Sequence, residues 1–508
     1  MYIVTAEEMY EIDRYAIEHG GIDGRILMEN AGRAIAERLI KQEAGSQAAA
    51  VIVGSGNNGG DGFVIARYLL QSGFRVKVYQ LASNQKITGD ALYHKQLFIN
   101  QQGLIEDNVD AEMLQDDLPN YHFVVDAILG IGVKGEIRSS IRPFIDLLNK
   151  SDKKVISVDI PSGLPANEGI DKDIAVKADF TYVVESPKQS LFTEWGAPYY
   201  GEWEVVPIGI PEQAYSNHSS LKRWGKQAFV STFPKRDTYS HKGSHGKGAV
   251  IGGQRTMPGS VTLTASAALK SGAGLLTIAT VEDNIPIIAS KCTEAMYQVL
   301  EDRDGVITKN HTDLFKAFDG LAIGMGMGRD EVTANFSQKL IQALDMPMVI
   351  DADGLHHLKP ILNTVSERNH PIIITPHFGE MAMLTGYTID EMKRKPFSIA
   401  KEFADQYQLY VVLKGKFTII TSPYGDQIVN DTGNAGLAKG GTGDVLSGIL
   451  LAMIMQNQST MAALGNACYI HGLSAEMRVK SGENTEIDLL ASDVIDGLSN
   501  VFRTLSDV

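Results

Sequence analysis

Short apolar runs alternating with glycine-rich turns and helical segments recur along most of the chain. The first residues differ. Thr5 and Glu8 form a capping box, and Met9, Ile12, Tyr15 and Ala16 then recur at helical spacing until His19, Gly20 and Gly21 end the run. The spacing predicts a second helix over 25–41. After it the pattern becomes strand, glycine loop, helix, repeated, with strands at 49–53, 75–79, 123–128, 154–158 and 180–184, a helix beginning near Phe63 and another over 91–99. Apolar runs of this length, separated by helical segments, indicate a parallel sheet covered on both faces. The first half is therefore a Rossmann-like, doubly wound α/β domain.

The stretch 208–224 loses periodicity and is polar, which puts the boundary there, between a domain over 1–215 and another over 225–508. The second half again reads as α/β. Strands are expected at 249–252, 275–279, 321–323, 348–350, 372–375, 410–413 and 418–421, a helix over 259–270, and two apolar helices over 444–455 and 461–479. No fixed-period repeat relates the halves, so two different α/β domains are the simplest account.

Composition narrows the function classes. The 508 residues are 44% hydrophobic, enough for two cores, and glycine is abundant (50) where proline is not (17), a balance suited to tight ligand-facing turns. Lys and Arg number 46 against 61 Asp and Glu, a net charge of −15 that opposes nucleic acid and anionic membrane. A phosphate-bearing ligand must then be held by local backbone donors and a few lysines. Cys292 and Cys468 stand alone in sequence and read as buried free thiols. The start lacks the basic and apolar regions of a signal peptide, and no run reaches the roughly 18 apolar residues of a membrane span. A cytoplasmic protein acting on small molecules is expected, as a homo-oligomer.

In the first half, the strand VIV runs into GSGNNGGDG and then a helix, an order that lets backbone NH groups and a helix N-terminus face a phosphate. A tight βα turn is the competing reading. Two later strands also end in polar residues: VVDA leads into ILGIGVKGE, and ISVD into IPSGL. The carboxyl ends of parallel strands lie along one edge, so Asn58, Asp126, Asp159 and Ser162 can converge on one crevice. An amide, a carboxylate and a hydroxyl suit a hard monovalent cation better than zinc, and Asp159 is then the candidate general base.

In the second half, NAGLAKGGTGDVLSGIL places Gly440, Gly441, Thr442 and Gly443 before an apolar-faced helix. Its first-turn NH groups at Gly441, Thr442 and Gly443 form an anion hole for a transferring phosphoryl group, with Asp444 placed to accept a hydroxyl proton. A mere N-cap role for Asp444 is the alternative. VVLKGKFT supplies Lys414 and Lys416, and the runs DADGL, TPHFGE and GMGMGRD are further polar or glycine-rich strand ends.

The GNNGGDG loop, the VDA strand end and the DIPSG strand end, in that order, resemble the epimerase domain of the NAD(P)H-hydrate repair enzymes over 1–215. The resemblance implies potassium at Asn58, Asp126 and Ser162. It also implies hydrated nicotinamide nucleotide at Asn57, Asn58, Gly59, Gly60 and Asp61, at Gly130, Ile131, Gly132, Val133, Lys134, Gly135 and Glu136, and at Asp159. LGIG replaces the family's frequent FGTG, so Ile131 supplies no hydroxyl. The GTGD signature resembles the ribokinase-like superfamily, and with SHKGSHG, GMGMG, TPHFGE and LKGKFT it is similar to the ADP-dependent NAD(P)H-hydrate dehydratase branch. That implies an α/β/α domain holding dinucleotide at Gly326, His377 and Asp444, and ADP with Mg2+ at Lys414, Gly415, Lys416, Phe417, Thr418 and Gly443. Phe378 and Met325 stand where proline is usual. The implied function is repair: R and S hydrates of NADH or NADPH are interconverted, and the S form is dehydrated at the expense of ADP, releasing AMP and phosphate. A small-molecule kinase of the same superfamily, acting on a vitamin-precursor alcohol and joined to a non-catalytic nucleotide-binding module, is the alternative.

Overall fold

The computed structural model describes residues 1–169, 173–309, 312–456 and 458–505. It forms two compact units, Met1–Leu221 and Lys222–Val508. The division falls inside the polar stretch 208–224, but that stretch is not a linker. It contains a helix, Glu212–His218, whose Ala214 and Tyr215 are buried, with Tyr215 stacked on Tyr2. Lys222–Arg223 then opens the second unit as a sheet-edge strand.

The first unit is a seven-stranded sheet: β1 (Ala48–Val53), β2 (Arg75–Gln80), β3 (Leu104–Glu106), β4 (Phe123–Ala127), β5 (Lys154–Val158), β6 (Phe180–Val184) and β7 (Glu202–Val206). Their order is β3-β2-β1-β4-β5-β6-β7, every pair parallel. All six residues of β1 are buried, because each face is covered. Ala49, Val51 and Val53 join a cluster with Ile35, Leu39, Phe63 and Leu69, while Ala48, Ala50 and Ile52 join Leu114, Phe144 and Leu148. The run therefore shows no polar alternation despite its two-residue period. Reversal of strand order beside β1 opens a crevice at the carboxyl ends of β1 and β4.

The helix after β1 begins at Asn57, not near Phe63, and runs to Gln71. The NNGGD block is thus the opening of a helix rather than a loop. Its glycines are demanded by packing: a Cβ on Gly59 would lie 2.4 Å from Gly54 O, and one on Gly60 2.4 Å from Met28 Sδ.

The second unit carries an eleven-stranded sheet: β8 (Lys222–Arg223), β9 (Lys247–Ile251), β10 (Leu275–Val281), β11 (Met296–Arg303), β12 (Val306–Lys309), β13 (Gly320–Ile323), β14 (Met348–Ile350), β15 (Ile372–Ile374), β16 (Tyr410–Leu413), β17 (Thr418–Thr421) and β18 (Gln427–Asn430). The order is β12-β11-β10-β9-β13-β14-β15-β16-β17-β18-β8. The seven strands from β11 to β16 are parallel, and antiparallel pairs β12–β11, β16–β17 and β17–β18 flank them. The helix Thr442–Ile454 has ten buried residues and crosses the helix Pro258–Lys270 so closely that a Cβ on Gly448 would lie 2.1 Å from Thr264 O. Among the described residues, no helix is long and apolar enough to cross a membrane. Cys292 and Cys468 are free and buried.

Candidate active sites

In the first unit a cleft of about 730 Å³ lies at the carboxyl edge of the sheet. Asn57, Asn58, Asp61, Gly130, Ile131, Gly132, Val133, Lys134, Glu136 and Asp159 line it, whereas Gly59, Gly60 and Gly135 do not. Gly59 and Gly60 are committed to helix packing, which removes them from the wall and leaves the flanking side chains facing the cleft.

Asp159 ends β5 in the left-handed region, φ +66°. For a residue other than glycine such a conformation costs on the order of 1–3 kcal/mol and persists only where its surroundings enforce it. Here Asp159 N donates to Tyr182 O at 2.7 Å, and the carboxylate accepts from Val184 N at 3.0 Å and from Lys188 Nζ. Lys188 is 1% exposed, and its remaining protons go to Ser186 O at 2.8 Å and Val184 O at 3.1 Å. Lys188 escaped the sequence reading. Its only signal is a lysine two residues after Ser186 in an otherwise unremarked turn.

Asp126 and Ser162 sit behind the cleft wall, both fully buried. Ser162 donates its N to Asp126 Oδ2 at 2.9 Å and its Oγ to Asp126 Oδ1 at 2.5 Å, and Ser157 Oγ donates to Oδ2 at 2.8 Å. Burial pushes the Asp126 carboxyl upward against these donors. Asn58 donates Nδ2 to Leu129 O at 2.9 Å, which fixes the amide and leaves its buried Oδ1 without a donor. An orphaned buried oxygen is costly and marks a missing positive partner. The three residues thus fit a monovalent cation held by oxygen.

In the second unit the site gathers around Asp351, at the end of β14. This residue is 2% exposed, accepting at Oδ1 from Lys414 Nζ at 2.9 Å and at Oδ2 from Ser447 Oγ at 2.7 Å. Lys414 directly follows β16 and is not a solvated turn lysine. Burial works against its ammonium, but Asp351, Glu380 and Asp444 outweigh it and raise its pKa. Lys416, by contrast, is exposed, and Thr418 opens β17.

The N-cap of the helix Thr442–Ile454 is Gly441, at φ +92° and with no side-chain cap, so Asp444 lies in the first turn and is not the cap. The first return bond runs from Val445 N to Gly441 O at 3.1 Å, leaving the NH groups of 442–444 pointing off the helix end. Thr442 contributes only its backbone, since its hydroxyl donates to Leu437 O and Lys439 O, both at 2.9 Å. A Cβ on Gly443 would stand 3.5 Å from Lys414 Nζ, so the absent side chain leaves the pair open to a ligand. Burial, then Asp351, push the Asp444 carboxyl up to about 6, with Ser260 and Lys414 opposing. Gly326 abuts Ser260, which links it to Asp444.

His377 is bridged to Lys414 but caps the helix Phe378–Thr385, its Nδ1 accepting from Glu380 N at 3.1 Å. Its Nε2 lies 3.6 Å from Glu380 Oε1, and the rest of the ring is exposed. Phe378 packs on Gly415, forming part of the wall, while Met325 is fully buried in the core and shapes no pocket surface. His471 went unnoticed in the sequence: it lies beneath the Thr442 backbone, and burial pushes its imidazole down to about 4. Asp351 and Ser447 were legible only as a polar strand end and a helix residue.

A family described as NAD(P)H-hydrate dehydratase matches residues 249–496, and one described as YjeF-related protein N-terminus matches 24–190. The bifunctional NAD(P)H-hydrate repair enzyme of Moorella thermoacetica is 35% identical, covering 100% of this chain and 98% of its own. The ADP/ATP-dependent NAD(P)H-hydrate dehydratase of Bacillus subtilis, co-crystallised with ATP and Mg2+, is 34% identical, with a TM-score of 0.49, over 56% of this chain and 98% of its own. A ribokinase-like superfamily protein of Enterococcus faecalis, 24% identical over 56% of this chain and 96% of its own, has a TM-score of 0.50 and shares the fold.

Proposed function

The chain belongs to the bifunctional NAD(P)H-hydrate repair enzymes, and we propose how its own residues divide the two reactions between two sites. It epimerises NAD(P)H hydrates and dehydrates them with a nucleotide as phosphoryl donor. The family relationship spans the whole chain, which disfavours a lone vitamin-precursor kinase carrying a passive module.

Epimerisation belongs to the cleft of the first unit. Asn57, Asp61 and the 130–136 loop hold the hydrated nucleotide, and Asp159, fixed by Lys188 and Val184 N, is the base. Potassium at Asn58, Asp126 and Ser162 supplies positive charge behind the wall, where Asn58 Oδ1 has no protein donor.

Dehydration belongs to the Asp444 site. Gly326 and the exposed ring of His377 hold the dinucleotide, and the 414–418 turn and Gly443 hold ADP. Mg2+ accompanying ADP supplies further charge on its phosphates. Asp444 takes the proton of the hydrate hydroxyl, whose oxygen bonds to the terminal phosphorus as the bond to the AMP oxygen breaks. The NH groups of 442–444 and Lys414 stabilise the phosphoryl charge. Phosphate then leaves with its bonding electrons, a ring proton is lost, and the double bond reforms. The observation that carries this assignment is the uncapped helix end with its raised carboxyl beside the Lys414–Asp351 pair.

Purified protein supplied with mixed hydrates, ADP and Mg2+ is expected to restore the dihydronicotinamide and release AMP and phosphate in equal amounts. A stable phosphorylated product would instead identify a kinase.

A further inference from the structure

The cleft of the first unit contains more carboxylates than the assignment above uses. Asp13, on the helix Ala6–Glu18, Asp61, on the helix Asn57–Gln71, and Asp159 all line it. Lys86, Lys134 and Arg138 also line the cleft, but Lys188 is the cation that acts on the three, and its protons are already committed to Asp159 Oδ1, Ser186 O and Val184 O. Asp159 also accepts from Val184 N at 3.0 Å. Among the described residues, no hydrogen-bond donor reaches the carboxyl of Asp61 or of Asp13. A half-buried carboxyl that has no donor and stands beside like charges holds its proton.

We propose that Asp61 is the proton-carrying partner of Asp159, a neutral carboxyl that acts as the acid of epimerisation while the Lys188-bound Asp159 acts as the base. The inference rests on the assignment of epimerisation to this cleft. Burial first, then Asp159 and Asp13, push the Asp61 carboxyl well above the usual range, with Lys188 alone opposing. Asp13 is raised to about 6 by burial, against Lys188 and with Asp159 and Glu185 adding to it. Burial, Asp13, Asp159 and Glu7 raise the Tyr10 phenol, which stays neutral. Asp61 is chosen over Asp13 because it shares the opening of its helix with Asn57 and Asn58, which line the same cleft.

The chemistry requires such a pair. A dihydronicotinamide is an enamine, so its hydrate carries the hydroxyl on the carbon next to the ring nitrogen. The carbon–oxygen bond breaks with its electron pair going to oxygen, which takes the Asp61 proton and leaves as water. The nitrogen lone pair meanwhile forms a carbon–nitrogen double bond. Water then adds to the opposite face of that carbon and gives a proton to Asp159. One water leaves and one enters, and one proton passes from Asp61 to Asp159, to be returned through solvent.

Asp61→Asn in the full chain tests this, because the amide keeps the shape and neutrality of the acid and lacks only a transferable proton. The kcat for converting R to S hydrate should fall at least about 100-fold, the lower end of what a general acid contributes, with KM within about threefold. ADP-dependent dehydration of S hydrate should be unchanged, and an unchanged thermal midpoint for the first unit shows that the cleft itself is folded. Asp61→Glu should recover part of the lost kcat. A kcat for Asp61→Asn within about threefold of the parent, a loss in KM alone, or an Asp61→Glu as inactive as Asp61→Asn would each overturn the proposal. If Asp159→Asn also epimerises normally, the assignment of the cleft fails; if only Asp159→Asn is inactive, Asp61 alone has been misassigned.

Discussion

Asp159 follows a strand and Asp444 opens a helix, and their surroundings suit them to different tasks. Asp159 is held by an ammonium and a backbone NH, whereas Asp444 is half-buried near a second carboxylate, Asp351, and is raised to about 6. A base must be unprotonated to work, and a carboxyl raised to about 6 is protonated below that pH. Dehydration should therefore increase as pH rises through about 6 and level off above it, measured as initial rate against pH with saturating ADP. Replacing Lys414 by Met should cost more than its phosphate contact alone. It leaves Asp351 buried without its ion-pair partner, which for a pair of this burial costs on the order of 3–5 kcal/mol. The thermal midpoint should fall along with the dehydration rate.

The helix Asn57–Gln71 shows what one element can and cannot reveal before folding. Its glycine block reads as a loop because glycine lowers helix propensity, but close approach of the helix to Gly54 and Met28 overrides that preference. Gly59→Ala should accordingly destabilise the first unit by about 1–3 kcal/mol through overpacking, seen as a lower denaturant midpoint, although alanine is the better helix former. The central strands were legible because burial on both faces makes each a short uninterrupted apolar run. The sheet edges were not. β11 exposes most of its residues and pairs with β12 through a register shift, and β8 has only two residues, so neither carries a hydrophobic signature. The glycine and aspartate motifs of both sites were readable since they are contiguous in sequence. Lys188, Asp351 and His471 were not, because each gains its meaning from a partner at least 29 residues away, as Lys188 does from Asp159.

At the scale of the whole molecule, the proposed division of chemistry falls on two compact units with unlike sheets, one all parallel with seven strands and one mixed with eleven. Cation dependence should divide the same way. Exchanging potassium for tetramethylammonium, which is too large for the Asn58, Asp126 and Ser162 oxygens, should slow epimerisation and leave dehydration untouched, with recovery on returning potassium. The central claim, two separate sites whose bases are Asp159 and Asp444, is tested most directly by supplying separated R and S hydrates with ADP and Mg2+ to the Asp159→Asn and Asp444→Asn proteins. Asp159→Asn should restore the dihydronicotinamide from S hydrate at the parent rate and leave R hydrate unrepaired beyond its uncatalysed conversion. Asp444→Asn should interconvert R and S while restoring neither. Loss of both activities in either variant, or restoration from S hydrate by Asp444→Asn, would contradict the account.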